Sequence, residues 1–127
     1  MASYLMRMNV RPDEDAVPRA ELSRLQQMFD TFSAEVRIHG EPVGWEEIKE
    51  VELVNAPTVG GLGGMVLGFF INTQDRYHVG IYLRRDEAVL ANLTMKQVLY
   101  VMQSIAYYAP NPVSYTGADG IVPLTEL

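Results

Sequence analysis

Between residues 65 and 108 the hydrophobic pattern changes its period, and that change constrains the fold more than any other feature of the chain. Residues 65–72 and 77–83 are apolar runs rich in Val, Ile, Phe and Tyr, separated by the polar residues Thr73, Gln74 and Asp75. Two such runs around a polar turn predict a β-hairpin. From residue 94 the period becomes helical. Thr94 is an N-cap residue with Gln97 three places on, and Leu93 and Val98 stand where a hydrophobic staple closes across the cap. Val98, Val101, Met102, Ile105 and Tyr108 then share one helical stripe, which Ala109 and Pro110 end. None of these residues forms a catalytic constellation. A chain that commits its best-specified segment to sheet and helix is expected to be a scaffold or binder rather than an enzyme.

The rest of the chain supplies further short elements. Tyr4, Met6, Met8 and Val10 alternate with Arg7 and Asn9, which predicts a half-buried strand. Arg11 to Asp15 is a polar, acidic breaker. Pro18 suits a first helical position, and Leu22, Leu25, Met28, Phe29 and Phe32 recur at helical spacing, so a helix is expected from 18 to near Ser33. Val36 and Ile38 predict a short strand that Gly40, Glu41 and Pro42 stop. Trp45 to Ile48 reads as a tight turn feeding a strand in which Val51 and Leu53 point inward and Glu50 and Glu52 outward. Residues 87–92 are read as a third hairpin strand, because the Thr94 cap marks a fresh helix start. The tail, 110–127, is broken by Pro and Gly yet keeps Val113, Tyr115, Ile121, Val122 and Leu124; a free tail sheds such groups, so this one is expected to dock in extended form.

Composition narrows the class. A length of 127 residues suits one domain, 1–127, and 48% hydrophobic residues can supply its core. There is no Cys, which removes disulfides, thiolate metal sites and Cys nucleophiles. The net charge of −6, with lysine only at positions 49 and 96, leaves no basic stripe for phosphates, and the single Arg84-Arg85 pair is followed at once by Asp86 and Glu87. Nucleic acid and anionic membrane are therefore not expected as partners. No apolar window approaches the roughly 18 residues of a membrane span, and the opening residues lack a leader-like apolar run, so a cytoplasmic location is expected.

The residues that invite a chemical reading are few. The glycines at 60, 61, 63 and 64 lack the third position of a dinucleotide fingerprint and precede a strand pattern, and no Lys-Ser or Lys-Thr follows as a Walker loop needs. They read as an inter-strand loop. His39 and His78 lack metal-ligand spacing, and no Gly-x-Ser-x-Gly elbow exists. No cofactor, metal or catalytic residue is assigned. Glu46, Glu47, Glu50 and Glu52 gather around one strand and form an acidic face suited to a basic partner. Trp45, the sole tryptophan, is an anchor at the mouth of the sheet or an interface contact; Tyr107, Tyr108 and Tyr115 cluster near the end of the last helix as core or contact patch. These four aromatics are the candidate interaction residues.

One run carries a family resemblance. Residues 44–52, with Trp45, Ile48 and Val51, resemble the Trp-x-x-Ile-x-x-Val strand opening of bacterial pleckstrin-homology-like domains. Thr73, Gln74, Asp75, Arg76 and Tyr77 stand in place of that family's Thr-x-Asp-Gly-x turn, and the capped C-terminal helix follows in the same order. The likeness covers about residues 35–108; the helix after Pro18, the glycine-rich loop and the tail lie outside it, and Arg76 replaces the turn glycine. The resemblance implies a bent antiparallel sheet closed at one end by a helix, acting as a protein-binding or oligomerising module.

The expected architecture is α+β: a curved, half-barrel-like antiparallel sheet of about five to seven strands, packed by the C-terminal helix, with an additional N-terminal helix. The expected function is non-enzymatic protein interaction, with a protein partner or a second copy of the chain as homodimer. The same composition suits a small acidic immunity protein or secretion chaperone that holds a basic partner. A third reading builds a small-molecule or enzymatic site from His78, Tyr77 and Asp75.

Overall fold

The computed structural model describes residues 4–7, 10–55, 76–117 and 121–124. Nine strands and two α-helices are placed there: β1 (Tyr4–Arg7), α1 (Arg19–Gln26), β2 (Phe29–Thr31), β3 (Glu35–Ile38), β4 (Glu41–Gly44), β5 (Ile48–Asn55), β6 (Tyr77–Leu83), β7 (Glu87–Leu93), α2 (Met95–Tyr108), β8 (Ser114–Thr116) and β9 (Ile121–Leu124). The α+β class expected from the sequence is the observed one. The strands form three hydrogen-bonded groups in the orders β7-β6-β5-β8, β2-β3-β4 and β1-β9. Residues 65–75 and the glycine-rich loop lie outside the described residues, but the hairpin expected between 65–72 and 77–83 is corrected by β6, whose two edges pair with β5 and β7 instead.

The meander β5-β6-β7 is antiparallel throughout, with Val51 opposite Ile81 and Val79 opposite Leu90. These four side chains are buried, and α2 covers them with Val98, Val101, Met102 and Ile105, all fully buried. Parallel pairing enters through the tail. β8 lies parallel to β5, with Tyr115 opposite Val51, and β9 lies parallel to β1. The helix α2 therefore connects the two outer strands of the four-stranded sheet. Its 14 residues span about 21 Å at 1.5 Å per residue, more than the three inter-strand steps of about 4.8 Å it must cover.

Two further expectations are corrected. The helix expected from 18 to near Ser33 stops at Gln26, and Phe29–Thr31 is a strand paired with β3. On a longer helix Phe29 and Phe32 would share a face; here Phe29 is buried while Phe32 is 45% exposed under the Arg37 guanidinium, 5.5 Å from its ring centre. The pairing partner decided the outcome. The strand at 36–38 does stop at Ile38, as expected, but Glu41 and Pro42 then open a further strand, β4, instead of ending the sheet. His39 and Gly40, at φ of 51° and 85°, form a two-residue turn between the paired residues Ile38 and Glu41. Positive φ at both centres is the hairpin turn whose twist matches that of its strands. Pro42 is tolerated because β4 is an outer strand, where a missing N–H breaks no ladder.

The cap at Thr94 closes as its residues predict. The Thr94 hydroxyl accepts from the Gln97 N–H at 3.3 Å, and the Gln97 side-chain oxygen accepts from the Thr94 N–H at 2.8 Å. Gln97 is fully buried, and its amide also donates to the Glu21 carbonyl at 2.8 Å, while the Thr94 hydroxyl donates to the Glu21 carboxylate at 2.5 Å. The cap is thus also the joint between α1 and α2. Among the described residues no helix is long and apolar enough to cross a membrane.

Candidate functional site

Strand alternation gives the four-stranded sheet two unlike faces. The inner face meets α2. The outer face carries Ser114 and Thr116 from β8, Glu50, Glu52 and Val54 from β5, His78, Gly80 and Tyr82 from β6, and Glu87 and Val89 from β7. Register sets Tyr82 opposite both Glu50 and Glu87, and Gly80 opposite Glu52 and Val89. The Tyr82 hydroxyl reaches across to donate to the Glu52 carboxylate at 2.8 Å, and the Thr116 hydroxyl donates to Glu50 at 3.3 Å.

The electrostatics follow from that placement. The bond to Glu52 and its negative charge, with Glu87 and Glu50 adding to it, hold the Tyr82 hydroxyl above its ordinary range, so it stays a neutral donor. Among the described residues the ion pair is Arg37 with Glu35, elsewhere, so no basic side chain neutralises Glu50, Glu52 or Glu87. Val54 and Val89, 45% and 52% exposed, flank the acidic group. The surface therefore combines a tyrosine, three carboxylates and two aliphatic side chains on a rigid sheet. It can hold a cationic, partly apolar surface.

Sequence reasoning found Glu50 and Glu52 but grouped them with Glu46 and Glu47. The structure separates these: Glu47 accepts from the Gly44 N–H at 2.9 Å in the turn before β5, and the sheet instead brings in Tyr82 and Glu87. The signal available was alternation along 77–83 and 87–93, which puts Tyr82 and Glu87 on the outward set once the pairing register is known.

The four candidate aromatics divide. Trp45 is 2% exposed, stacked on Tyr108 at 4.8 Å, set edge-on to Phe29 at 6.2 Å, and donates from Nε1 to the Phe32 carbonyl at 2.7 Å. It ties the three-stranded sheet to the end of α2. Tyr107, 42% exposed, lies edge-on to Tyr108 at 4.8 Å and is the outermost of the group. Tyr115 is apart from them on β8, its hydroxyl buried without a hydrogen-bond partner among the described residues.

Comparison of the chain with protein-family models, curated proteins and solved structures finds no match. The site must be read from its own geometry.

The histidines serve the backbone. His39 Nε2 lies 2.7 Å from the Val89 carbonyl, so that nitrogen carries the proton; His78 Nδ1 accepts from the Asn92 N–H at 3.2 Å, so its proton is on Nε2. Asp75, the third member of the His78 reading, lies outside the described residues. Among the described residues no three His, Asp or Glu side chains gather as a metal site would require.

Proposed function

We propose that this chain is a non-enzymatic protein-interaction module that holds a basic partner on the outer face of the β7-β6-β5-β8 sheet. The observation that carries the reading is Tyr82 set among Glu50, Glu52 and Glu87, flanked by exposed Val54 and Val89. Unlike charges steer a partner and fix its register, while the aliphatic and aromatic groups supply the buried contact. An acidic binder of a basic protein, in the manner of an immunity protein or secretion chaperone, belongs to this class. The pleckstrin-homology-like resemblance is part of the proposal, supported by the meander β5-β6-β7 running directly into a capped helix across it.

A second copy of the chain is the alternative occupant, favoured by one observation: β8 is an outer strand of only three residues whose further side pairs with nothing among the described residues. Affinity capture on the wild-type chain and on a Glu50→Lys, Glu52→Lys, Glu87→Lys variant tests the acidic face. A basic protein held by the first, released by salt and lost from the second is the expected result. Recovery of the same protein by both would overturn the reading, and light scattering that shows a concentration-dependent dimer would favour the second copy.

A further inference from the structure

A second feature lies on the opposite part of the molecule. The segment between β1 and α1 crosses α2 and leaves a half-open cavity of about 260 Å³. Its floor is apolar, from Val10, Val17 and Leu99, and its rim carries Arg11 and Lys96. Tyr100 closes the inner wall with its hydroxyl in contact with Thr31, and the Arg11 charge is felt there. The Gln103 amide donates to the Val10 carbonyl and pins the segment to the helix.

Three observations bear on what this cavity takes. First, neither rim cation has an ion pair: among the described residues the ion pair is Arg37 with Glu35. Second, Asp13 is the one acid among the described lining residues, and the acids near it have contacts of their own. Asp13, on the rim, accepts from the Asp15 N–H at 2.9 Å as the cap of a short turn; Glu21, at the cap of α2, is bonded to Thr94; and Glu14 acts on Tyr100 against the opposing Arg11. Third, Lys96 occupies the first turn of α2, which contains no acidic residue, although a cation is disfavoured at that end of a helix. An anion between Lys96 and Arg11 adds to the Glu21 carboxylate, which meets the same helix end at Thr94. In a chain of net charge −6, two cations with no ion pair among the described residues, beside an apolar hollow, are a specific local arrangement.

We propose that this cavity binds a small monocarboxylate with an apolar body, its carboxylate held between Arg11 and Lys96 and its body against Val10, Val17 and Leu99. The volume lies just below the roughly 300 Å³ at which pockets for drug-sized molecules begin, which selects a compact ligand. A guanidinium matches the planar carboxylate in two parallel bonds. Among the described lining residues two cations stand against the single Asp13 charge, so the lining itself favours a ligand with one negative charge.

Naphthoate and its uncharged analogue naphthamide are the probes, titrated calorimetrically into the full chain at low salt. Naphthoate is expected to bind one per chain and naphthamide at least tenfold more weakly. Lys96→Met and Arg11→Met, both at exposed positions, should each weaken naphthoate about tenfold and leave naphthamide unchanged. Leu99→Trp, which fills the hollow, should abolish binding of both. Absence of naphthoate binding, equal binding of acid and amide, or unchanged naphthoate binding in the Lys96 variant would each overturn the proposal. The Lys96 variant keeps the test decisive if Leu99→Trp fails to fold.

Discussion

At the scale of single residues, two polar groups are held in situations that make opposite predictions. Tyr115 is a tyrosine whose hydroxyl has no partner among the described residues, and burial pushes it up to about 12 from an ordinary 10.0. A buried group left unsatisfied costs stability, so Tyr115→Phe is expected to be neutral or to stabilise by about 1 kcal/mol. The pH dependence has a definite sign. Below pH 10 the hydroxyl is protonated in both states and contributes no slope. Between 10 and about 12 the unfolded chain releases its proton while the native chain keeps it, so stability falls as pH rises. Denaturant midpoints across that window should fall less steeply for Tyr115→Phe than for the wild type. His39 is the reverse case: a side chain at positive φ that holds its place through the Val89 carbonyl. Replacing it by Ala removes that bond and should cost about 1 kcal/mol, with Asn, which also tolerates positive φ, closer to neutral. In the double variant with His78→Ala, metal content of the purified protein should not change; stoichiometric zinc lost on that substitution would sink the non-enzymatic reading.

At the scale of elements, α2 and β8 organise the rest. The α2 cap is both a helix start and a joint to α1, because Thr94 and Gln97 each also bond Glu21. Thr94→Ala should therefore cost about 2 kcal/mol, the upper end of the range for a lost cap, and Thr94→Ser should restore most of it. A loss within error would mean that the joint is held by Gln97 alone. β8 depends on a glycine just beyond it. Gly117 has φ of 73°, and a Cβ there would lie 2.2 Å from the Leu53 carbonyl oxygen. The close approach is what lets the tail lie parallel to β5. Gly117→Ala combines a left-handed backbone, about 1–2 kcal/mol, with that clash, and is expected to cost more than either. Faster amide exchange at 114–116, with the β6-β7 hairpin still protected, is the outcome to look for. The opposite outer strand is already blunted. His39 and Arg24 bond the Val89 and Asn92 carbonyls of β7, at 2.7 and 3.4 Å, and cover part of the edge that would otherwise recruit another chain.

At the scale of the whole molecule, charge is divided by face. The outer sheet surface gathers Glu50, Glu52 and Glu87 around Tyr82, while the cavity beside α2 gathers Arg11 and Lys96. The two sites lie on different elements, so their tests separate. Association through the acidic face should weaken as salt rises from low to physiological, where the screening length shortens to about 8 Å. An association indifferent to salt would point to the apolar groups, and so to a second copy, instead.

What the sequence determined by itself is local. The period change at residue 94, the reciprocal Thr94 and Gln97 cap, the alternation of Val51 and Leu53 against Glu50 and Glu52, and the strand read at 87–92 are all consequences of neighbours within a few residues. Such neighbours fix backbone dihedrals and which side chains share a face, and that is enough for the α+β class. Tertiary structure decided what depends on partners distant in the chain. Phe29 suited helix by spacing and became strand because β3 was there to pair with it, and Pro42 became part of a strand because β4 is an outer strand. Tyr82 and Glu87 joined Glu50 and Glu52 only through a register that no one segment contains, since a slip of one residue sends every side chain to the other face. The cavity beside α2 was illegible for the same reason. Arg11 and Lys96 are 85 positions apart, and only the crossing of the segment before α1 over α2 brings their charges to one rim.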